Sequence, residues 1–375
     1  MKKYKILIPD GEENLLYQVI FTLSKASDFE IHVLSKVKGK PMRFSRYIKR
    51  FLQISIETDT DLLENINSYT LDNQIDLILP IGEEGIKTVI NNKHLISCPN
   101  KLVYLADKAN YINAIDKSYL AAHCKKHDIS HPNTIVLNPK NQFPNLDEVK
   151  FPVIIKPACG CDGQGIYVFK KVQDFNTFIQ NKAKDTTYVL QEFIEGYDID
   201  CSVLCKDGVV KVYTIQKGIM FENRKFSSPI GLQFLEDENL INTVRDFIKT
   251  LNWSGLAHID LRYDSKTNTF KIIEINGRFW GSLDASCMAG VNFAELYIMD
   301  SLGNDQYEYN YKTLSYFNLK GSFKKVRQRP ALLLNFSFIK NQTPLTYLIK
   351  DPLPIIFKYF ERTLVLLKKR LSSSQ

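Results

Sequence analysis

The first hundred residues alternate short apolar runs with helix-period segments, and no other feature limits the fold as strongly. "YKILIPD" leads into "NLLYQVIFTLSK" and then "EIHVLS". Further on, "IDLILPI" leads into "EEGIKTVINN" and then "KLVYLA". Strand–helix–strand order of this kind predicts a small parallel sheet. The turn after the first strand, "PDGEEN", lacks the G-x-G-x-x-G of a dinucleotide site, which speaks against a nicotinamide cofactor. The strand ends of an open α/β sheet still form a crevice. "IGEEG" at one such end is a candidate contact for an amine.

From about Asp116 the pattern changes. A helix over "DKSYLAAHCKKHDI" is stopped by "SHPN", and "FPVIIKP" and "GIYVFK" read as strands around a glycine loop with the helix "VQDFNTFIQNKA" behind them. "YVLQEFI" reads as a strand and "EGYD" as a turn. "DCSVLCKDG" and "VVKVYTIQKG" form a hairpin. After the helix "DENLINTVRDFIKTL", two long strands, "LAHIDLRYD" and "TFKIIEING", are joined by "SKTN". A chain of 375 residues accommodates two or three such domains.

The glycine loop "KPACGCDGQGIYVF" admits three chemistries. Gly160, Gly163 and Gly165 let backbone N–H groups fold into a concavity for phosphate oxygens, and Lys156 at the strand end adds a point charge. It is not a Walker A loop, because no Gly-Lys-Ser/Thr follows. Metal and redox readings are weaker. Cys159 and Cys161 are spaced C-x-C, and Cys201 and Cys205 C-x3-C within a strand, whereas zinc knuckles want paired C-x2-C. His123 and His127 share a helix face, but "HCKKH" lacks the glutamate of a zinc protease. Phosphate remains, although a purely structural loop would read the same.

The paired strands hold the acidic groups. Glu274 and Asn276 differ by two positions and share a strand face. Asp260 lies beside them if the hairpin register allows. Two carboxylates and an amide oxygen suit a hard cation such as Mg²⁺, which also takes substrate phosphates. A solvated hairpin face is the alternative.

Taken in order, Lys117 near a helix start, Lys156 before the loop, "LQEFIEGYD", Asp260 and "EINGR" resemble the ATP-grasp superfamily, in its carboxylate–amine ligase and carbamoyl-phosphate-synthetase-like branch. The resemblance covers roughly residues 1–305. It implies an α/β chain, α+β in the ATP-binding part: an ATP-grasp fold with a Rossmann-like N-terminal α/β domain (1–115) and a basic helical C-terminal extension (306–375). Between them lie a lid subdomain with its linker helix (116–195) and a central, metal-binding subdomain (196–305). By resemblance Lys117 and Lys156 contact ATP phosphates, Lys156 also serving catalysis, under a loop carrying Gly160, Gly163 and Gly165. Glu192, Phe193 and Ile194 look like the hinge at the adenine edge, and Asp198 stands at the ribose position. Asp260, Glu274 and Asn276 resemble ligands of Mg²⁺, with Mn²⁺ able to substitute, and Arg278 the arginine at the reaction centre.

The implied activity is ATP-dependent joining of a small-molecule carboxylate to an amine, or to a thiol, through an acyl phosphate. A phosphotransferase acting on a hydroxyl and a non-catalytic nucleotide-binding protein are the competing readings. The chain departs from the pattern at Gly277, where many relatives have proline, and at His258, where D-alanine ligases carry arginine. "QKGIMFENRKFSSPIG", with Lys217, Arg224 and Lys225, is either a carboxylate contact or a solvated loop.

Charge is uneven. The chain carries +8, but residues 318–375 alone hold twelve Lys/Arg against Asp351 and Glu361. In "DPLPIIFKYFERTLVLLKKRLSSSQ", Asp351 and Pro352 open a helix with Ile356, Phe360, Thr363, Leu364, Leu367 and Leu371 on one side. Lys358, Arg362 and Lys369 fall on the other. Such a helix suits weak contact with an anionic membrane or packing on the body or a sister subunit, and a homodimer stays open. Seven cysteines and no leader before the first strand lead us to expect a reduced cytoplasm. No nucleic-acid partner is expected.

Overall fold

The structure is a computed structural model and describes residues 3–138, 149–160, 165–182, 186–223, 227–304 and 309–372, with the side chains of 180–182 and 367–372 left out. The chain forms two compact units. One gathers Met1–Leu105, Arg278–Tyr311 and Tyr316–Gln375; the other is Ala106–Gly277 with Lys312–Ser315.

The first unit begins with the parallel sheet. Strands β1 (Tyr4–Ile8), β2 (Phe29–Ser35), β3 (Ile48–Gln53) and β4 (Leu77–Ile78) are ordered β3-β2-β1-β4. Helices α1 (Leu16–Leu23), α2 (Asp59–Asp72) and α3 (Glu83–Asn91) connect or follow them. Ile6, Leu7 and Ile8 are fully buried, as a central parallel strand requires. Thr58 caps α2 in a reciprocal box with Asp61. Strand β3 was not expected, because "IKRFLQ" is half polar and only partly buried. "KLVYLA", predicted as a strand, contributes only an isolated bridge between Ile78 and Leu102.

The second unit opens with α4 (Lys108–Ile115) and α5 (Lys117–Lys126), the latter capped by Asp116, which accepts from the N–H groups of Ser118 and Tyr119. A four-stranded sheet follows from β5 (Thr134–Leu137), β6 (Val153–Pro157), β7 (Tyr167–Phe169) and β8 (Tyr188–Glu192), in the order β5-β8-β6-β7. Helix α6 (Val172–Lys182) packs Phe175 and Phe178 into its core with Val153, Ile155 and Leu190. The larger sheet takes β9 (Gly196–Lys206), β10 (Val209–Met220), β11 (Gly231–Leu235), β12 (Gly255–Asp264) and β13 (Thr269–Asn276), running β13-β12-β9-β10-β11. Helix α7 (Glu238–Leu251) lies between β11 and β12 in the chain and buries Leu240, Ile241, Val244, Phe247, Ile248 and Leu251. Asp207 and Gly208, both at positive φ, make the two-residue turn between β9 and β10.

The expected turn "EGYD" is instead the start of β9. Tyr197 and Asp198 already pair with Tyr263 and Arg262 of β12. Gly196, at φ +154°, permits this, because a Cβ there would stand 1.8 Å from the Tyr263 carbonyl oxygen.

The chain then returns to the first unit through α8 (Leu283–Ala289), α9 (Phe293–Ser301), α10 (Leu319–Gln328), α11 (Phe336–Gln342), α12 (Leu345–Lys350) and α13 (Leu353–Ser372). Tyr347 is buried against the rings of Tyr17, Phe21 and Tyr47, at 5.5, 4.8 and 5.8 Å between centroids. Asp351 is buried too. It accepts from Ser45 Oγ (2.5 Å) and the Arg46 N–H (3.1 Å), so its carboxylate is turned away from the helix it was expected to cap. Helix α13 is anchored by buried Pro354 and by Phe357 stacked on Phe44 at 3.7 Å. Ile356, Phe360 and Leu364, from its predicted apolar side, are exposed. Leu367, Lys369 and Leu371 lie outside the described side chains. Among the described residues no helix is long and apolar enough to cross a membrane.

Candidate active site

The polar face of the large sheet is set by register. Asp260 lies opposite Glu274, and His258 opposite Asn276. Strict alternation along β13 would place Ile272 on the same face as Glu274. The register instead shifts between Asp260 and Leu261, with Ile273 as the extra residue. Ile272 and Ile275 can then both be buried while Lys271, Glu274 and Asn276 share the polar face. The β12 partner of Asp200 on β9 is again Asp260, which brings a further carboxylate to the same face.

Two buried lysines meet these acids. Lys117 and Lys156 are 8% and 5% exposed. The backbone N–H of Lys117 donates to Ala158 O and its Nζ to Gly160 O, both at 3.0 Å, and the same Nζ lies 3.2 Å from Glu274 Oε2. One lysine thus joins the start of the glycine loop to the acidic face. Lys156 ends β6, the strand that feeds the loop.

Electrostatics divide the acids. Burial alone would raise Glu274, but Lys117, a hydrogen bond from Asp260 and Lys156 outweigh it and hold the carboxyl at about 2. Burial, then repulsion from Glu274 and Asp200, drives Asp260 well above the carboxylate range. Asp200 is pushed to about 7 by burial and by Asp198 and Glu274. Burial, with repulsion from Lys117, brings Lys156 down to about 8 despite the attraction of Glu274. A cluster of hard oxygen donors beside two lysines could hold a divalent ion bearing phosphates, with Asp260, Glu274 and Asn276 as candidate ligands.

The other predicted positions sit as follows. Gly160, at φ +141°, has open space around its Cα, and Gly165 lies against Pro157. Gly163 and Cys161 fall outside the described residues, as do Arg224 and Lys225. Glu192 accepts from the Asn133 N–H (3.0 Å) and Lys271 Nζ (2.9 Å). The Phe193 N–H donates to Pro152 O, and Ile194 O accepts from Arg262 Nε at 2.7 Å. Asp198 pairs with Arg262 Nη1 at 2.5 Å. Arg262 thus organises the whole Ile194–Asp198 corner. The sequence reading missed it, although its place two residues after Asp260 on the same strand face was the available signal. Asp200, Lys271 and Ser202 were missed likewise. Cys201 and Cys205 are buried within β9, their thiols driven up by burial.

Arg278 belongs to the first unit. Its Nη1 donates to Phe279 O, and burial raises the Glu13 carboxyl against the opposing charge of Arg278. In the same unit Asp10 accepts from the N–H groups of Ile81 and Gly82, which ties the loops after β1 and β4 together at the point where strand order reverses. In "IGEEG", Glu83 and Glu84 both pair with Lys87.

A family model described as an ATP-grasp domain matches residues 114–282. The chain is 20% identical over 294 residues to a D-aspartate ligase of Enterococcus faecium, covering 70% of this chain and 69% of that one. It is 25% identical over 234 residues to a D-alanine–D-alanine ligase of Borreliella burgdorferi, covering 54% of this chain and 63%, just under two thirds, of the relative. Among solved structures, N5-carboxyaminoimidazole synthetase from Staphylococcus aureus complexed with ADP superposes with a TM-score of 0.64 at 14% identity, over 87% of each chain. L-amino acid ligase from Bacillus licheniformis gives 0.60 at 14% identity, over 84% of this chain and 79% of that one. At such identities structural likeness speaks to the fold, and the fold agrees with the domain match. Residues 114–282 thus match the ATP-grasp domain, and the chain is similar to ligases that carry it.

Proposed function

We propose that this protein is an ATP-dependent carboxylate–amine ligase, with a thiol as the variant acceptor, that activates a small-molecule carboxylate as an acyl phosphate. The observation that carries the reading is the meeting of Lys117 and Lys156 with the Asp260–Glu274 pair on one sheet face. Lys117 and Lys156 bind phosphate oxygens and reduce the repulsion that an anionic carboxylate meets at the γ-phosphorus. Held by Asp260, Glu274 and Asn276, Mg²⁺ supplies further neutralisation of the phosphate charge when bound. A carboxylate oxygen bonds to the γ-phosphorus as the bond to ADP breaks. The amine then bonds to the acyl carbon, inorganic phosphate leaves with the electron pair, and the amine proton passes to solvent. Arg278, two positions beyond Asn276, is assigned to the oxyanion of that second step. Adenine and ribose are assigned to the Glu192–Ile194 segment and Asp198, where Arg262 sets the geometry. ADP release measured over amino acids, peptides and sugar acids, with and without amines, tests the reading. Release that needs both a carboxylate and an amine supports it. A phosphorylated alcohol as product indicates the phosphotransferase, and nucleotide binding without turnover indicates a binding protein.

A partner reading rests on α13. Ile356, Tyr359, Phe360, Leu364, Val365 and Leu366 are 41–57% exposed, beside Lys358 and Arg362. We infer weak contact with an anionic membrane surface, at about 1 kcal/mol per basic residue near it. Full-length protein should float with anionic liposomes at low salt, and a Phe360→Ser, Leu364→Ser double variant should not. Equal flotation of the two would reject the contact.

A further inference from the structure

The acidic face extends past the three positions assigned to the nucleotide's metal. On β9 and β12, Asp200 stands opposite Asp260 and Ser202 opposite His258. The Ser202 hydroxyl, fully buried, lies 3.0 Å from His258 Nδ1 and fixes the ring. Nε2 is thereby aimed between two carboxylates, 3.5 Å from Asp260 Oδ1 and 4.0 Å from Asp200 Oδ2. The three ligand atoms lie within 4.8 Å of one another.

The 3.5 and 4.0 Å separations from Nε2 are those of ligands around one ion. Metal–ligand bonds of about 2.1 Å place neighbouring donors about 3 Å apart and opposed donors about 4.2 Å apart. Ligating histidines have their second ring nitrogen tied to an oxygen, and Ser202 supplies one here. Among the described residues no other group of three metal-capable side chains converges in this way. A protonated imidazole between two carboxylates would satisfy the distances equally, so the test must read the donor atom itself.

We propose that Asp200, His258 and Asp260 form a second divalent-cation position with a mixed nitrogen–oxygen donor set, sharing Asp260 with the position at Glu274 and Asn276. An imidazole donor shifts preference from Mg²⁺ toward first-row ions such as Mn²⁺. The site needs no nucleotide, and its test is independent of whether the ligase reaction is correct.

The experiment uses full-length protein without nucleotide, titrated with MnCl₂ and followed by electron paramagnetic resonance. Bound Mn²⁺ should show ¹⁴N modulation in pulsed spectra, converted to ¹⁵N modulation when the protein carries [¹⁵N]histidine. A tenfold excess of Mg²⁺ should leave that modulation in place. His258→Gln should abolish it, and Asp200→Asn should weaken Mn²⁺ binding at least tenfold. Glu274→Gln should retain it. Bound Mn²⁺ without nitrogen modulation in the unaltered protein overturns the site. So does failure to bind at millimolar Mn²⁺, or modulation that survives in His258→Gln. Should His258→Gln not fold, the labelled unaltered protein still decides. ADP release is read separately, so loss of the ligase reading and loss of this site are distinguishable.

Discussion

Glu274 and Lys156 are paired in charge but opposed in what their environments do to them. Glu274 is held ionised by Lys117 and Lys156 against burial, which is the state a cation ligand needs. Glu274→Gln keeps the shape and removes the charge. It should leave ATP binding within a few-fold and lower turnover on the order of a hundredfold, read as ADP release across a Mg²⁺ titration. Unchanged turnover would remove Glu274 from the metal face. Lys156 is brought down to about 8 by burial. Its folded value lies below the usual lysine value, so the unfolded chain holds the extra proton between about pH 8 and 10.5. Folding stability therefore rises with pH across that window. Nucleotide affinity should move the other way and fall as pH passes 8, because neutral Lys156 no longer attracts phosphate. Calorimetric titration from pH 7 to 9.5 checks the sign, and Lys156→Arg should flatten the profile.

At the scale of elements, the site depends on how β9, β12 and β13 are registered. The shift at Ile273 places Glu274 opposite Asp260, and the close approach at Gly196 lets β9 pair with β12 from its first residue. Gly196→Ala would drive a Cβ to 1.8 Å from a backbone oxygen, which no side-chain rotation relieves. Thermal unfolding should show a loss of about 2–4 kcal/mol, together with altered pairing of Asp198 and Arg262. Gly281→Ala, where nothing lies within 4 Å, should change stability by less than about 0.5 kcal/mol. Equal effects at the two positions would mean that the pairing tolerates the intrusion.

For the whole molecule, the basic extension is two things. Between Tyr316 and Phe357 it packs into the first unit, through buried Tyr347, Asp351 and Pro354 and the Phe44–Phe357 stack. From Lys358 to Leu366 every side chain is exposed. A chain ending at Gln342 should lose the Tyr17–Phe21–Tyr47–Tyr347 cluster and unfold with low cooperativity or precipitate. A chain ending at Lys358 should melt within a few degrees of the full protein and lose liposome flotation. Circular dichroism melts of the two truncations separate these outcomes. Similar melts for both would mean that Tyr347 and Asp351 contribute little to the core.

The sequence by itself determined the parallel sheet, the order of elements and the residue types of the site. Apolar periodicity, caps such as Thr58 and Asp116, and the Asp207–Gly208 turn are local properties. The alternation of Glu274 and Asn276 was legible for the same reason. Register was not local. Whether Ile272 or Ile273 is the inward residue depends on the partner strand, and only the tertiary pairing placed Asp200, Asp260 and Glu274 on one face. Arg262 and Ser202 went unread because arginine and serine on a strand are ordinary until a carboxylate or an imidazole stands across from them. The division of charge between Asp260 and Glu274 follows from burial and from lysines over a hundred residues away in the chain, which no window of sequence contains.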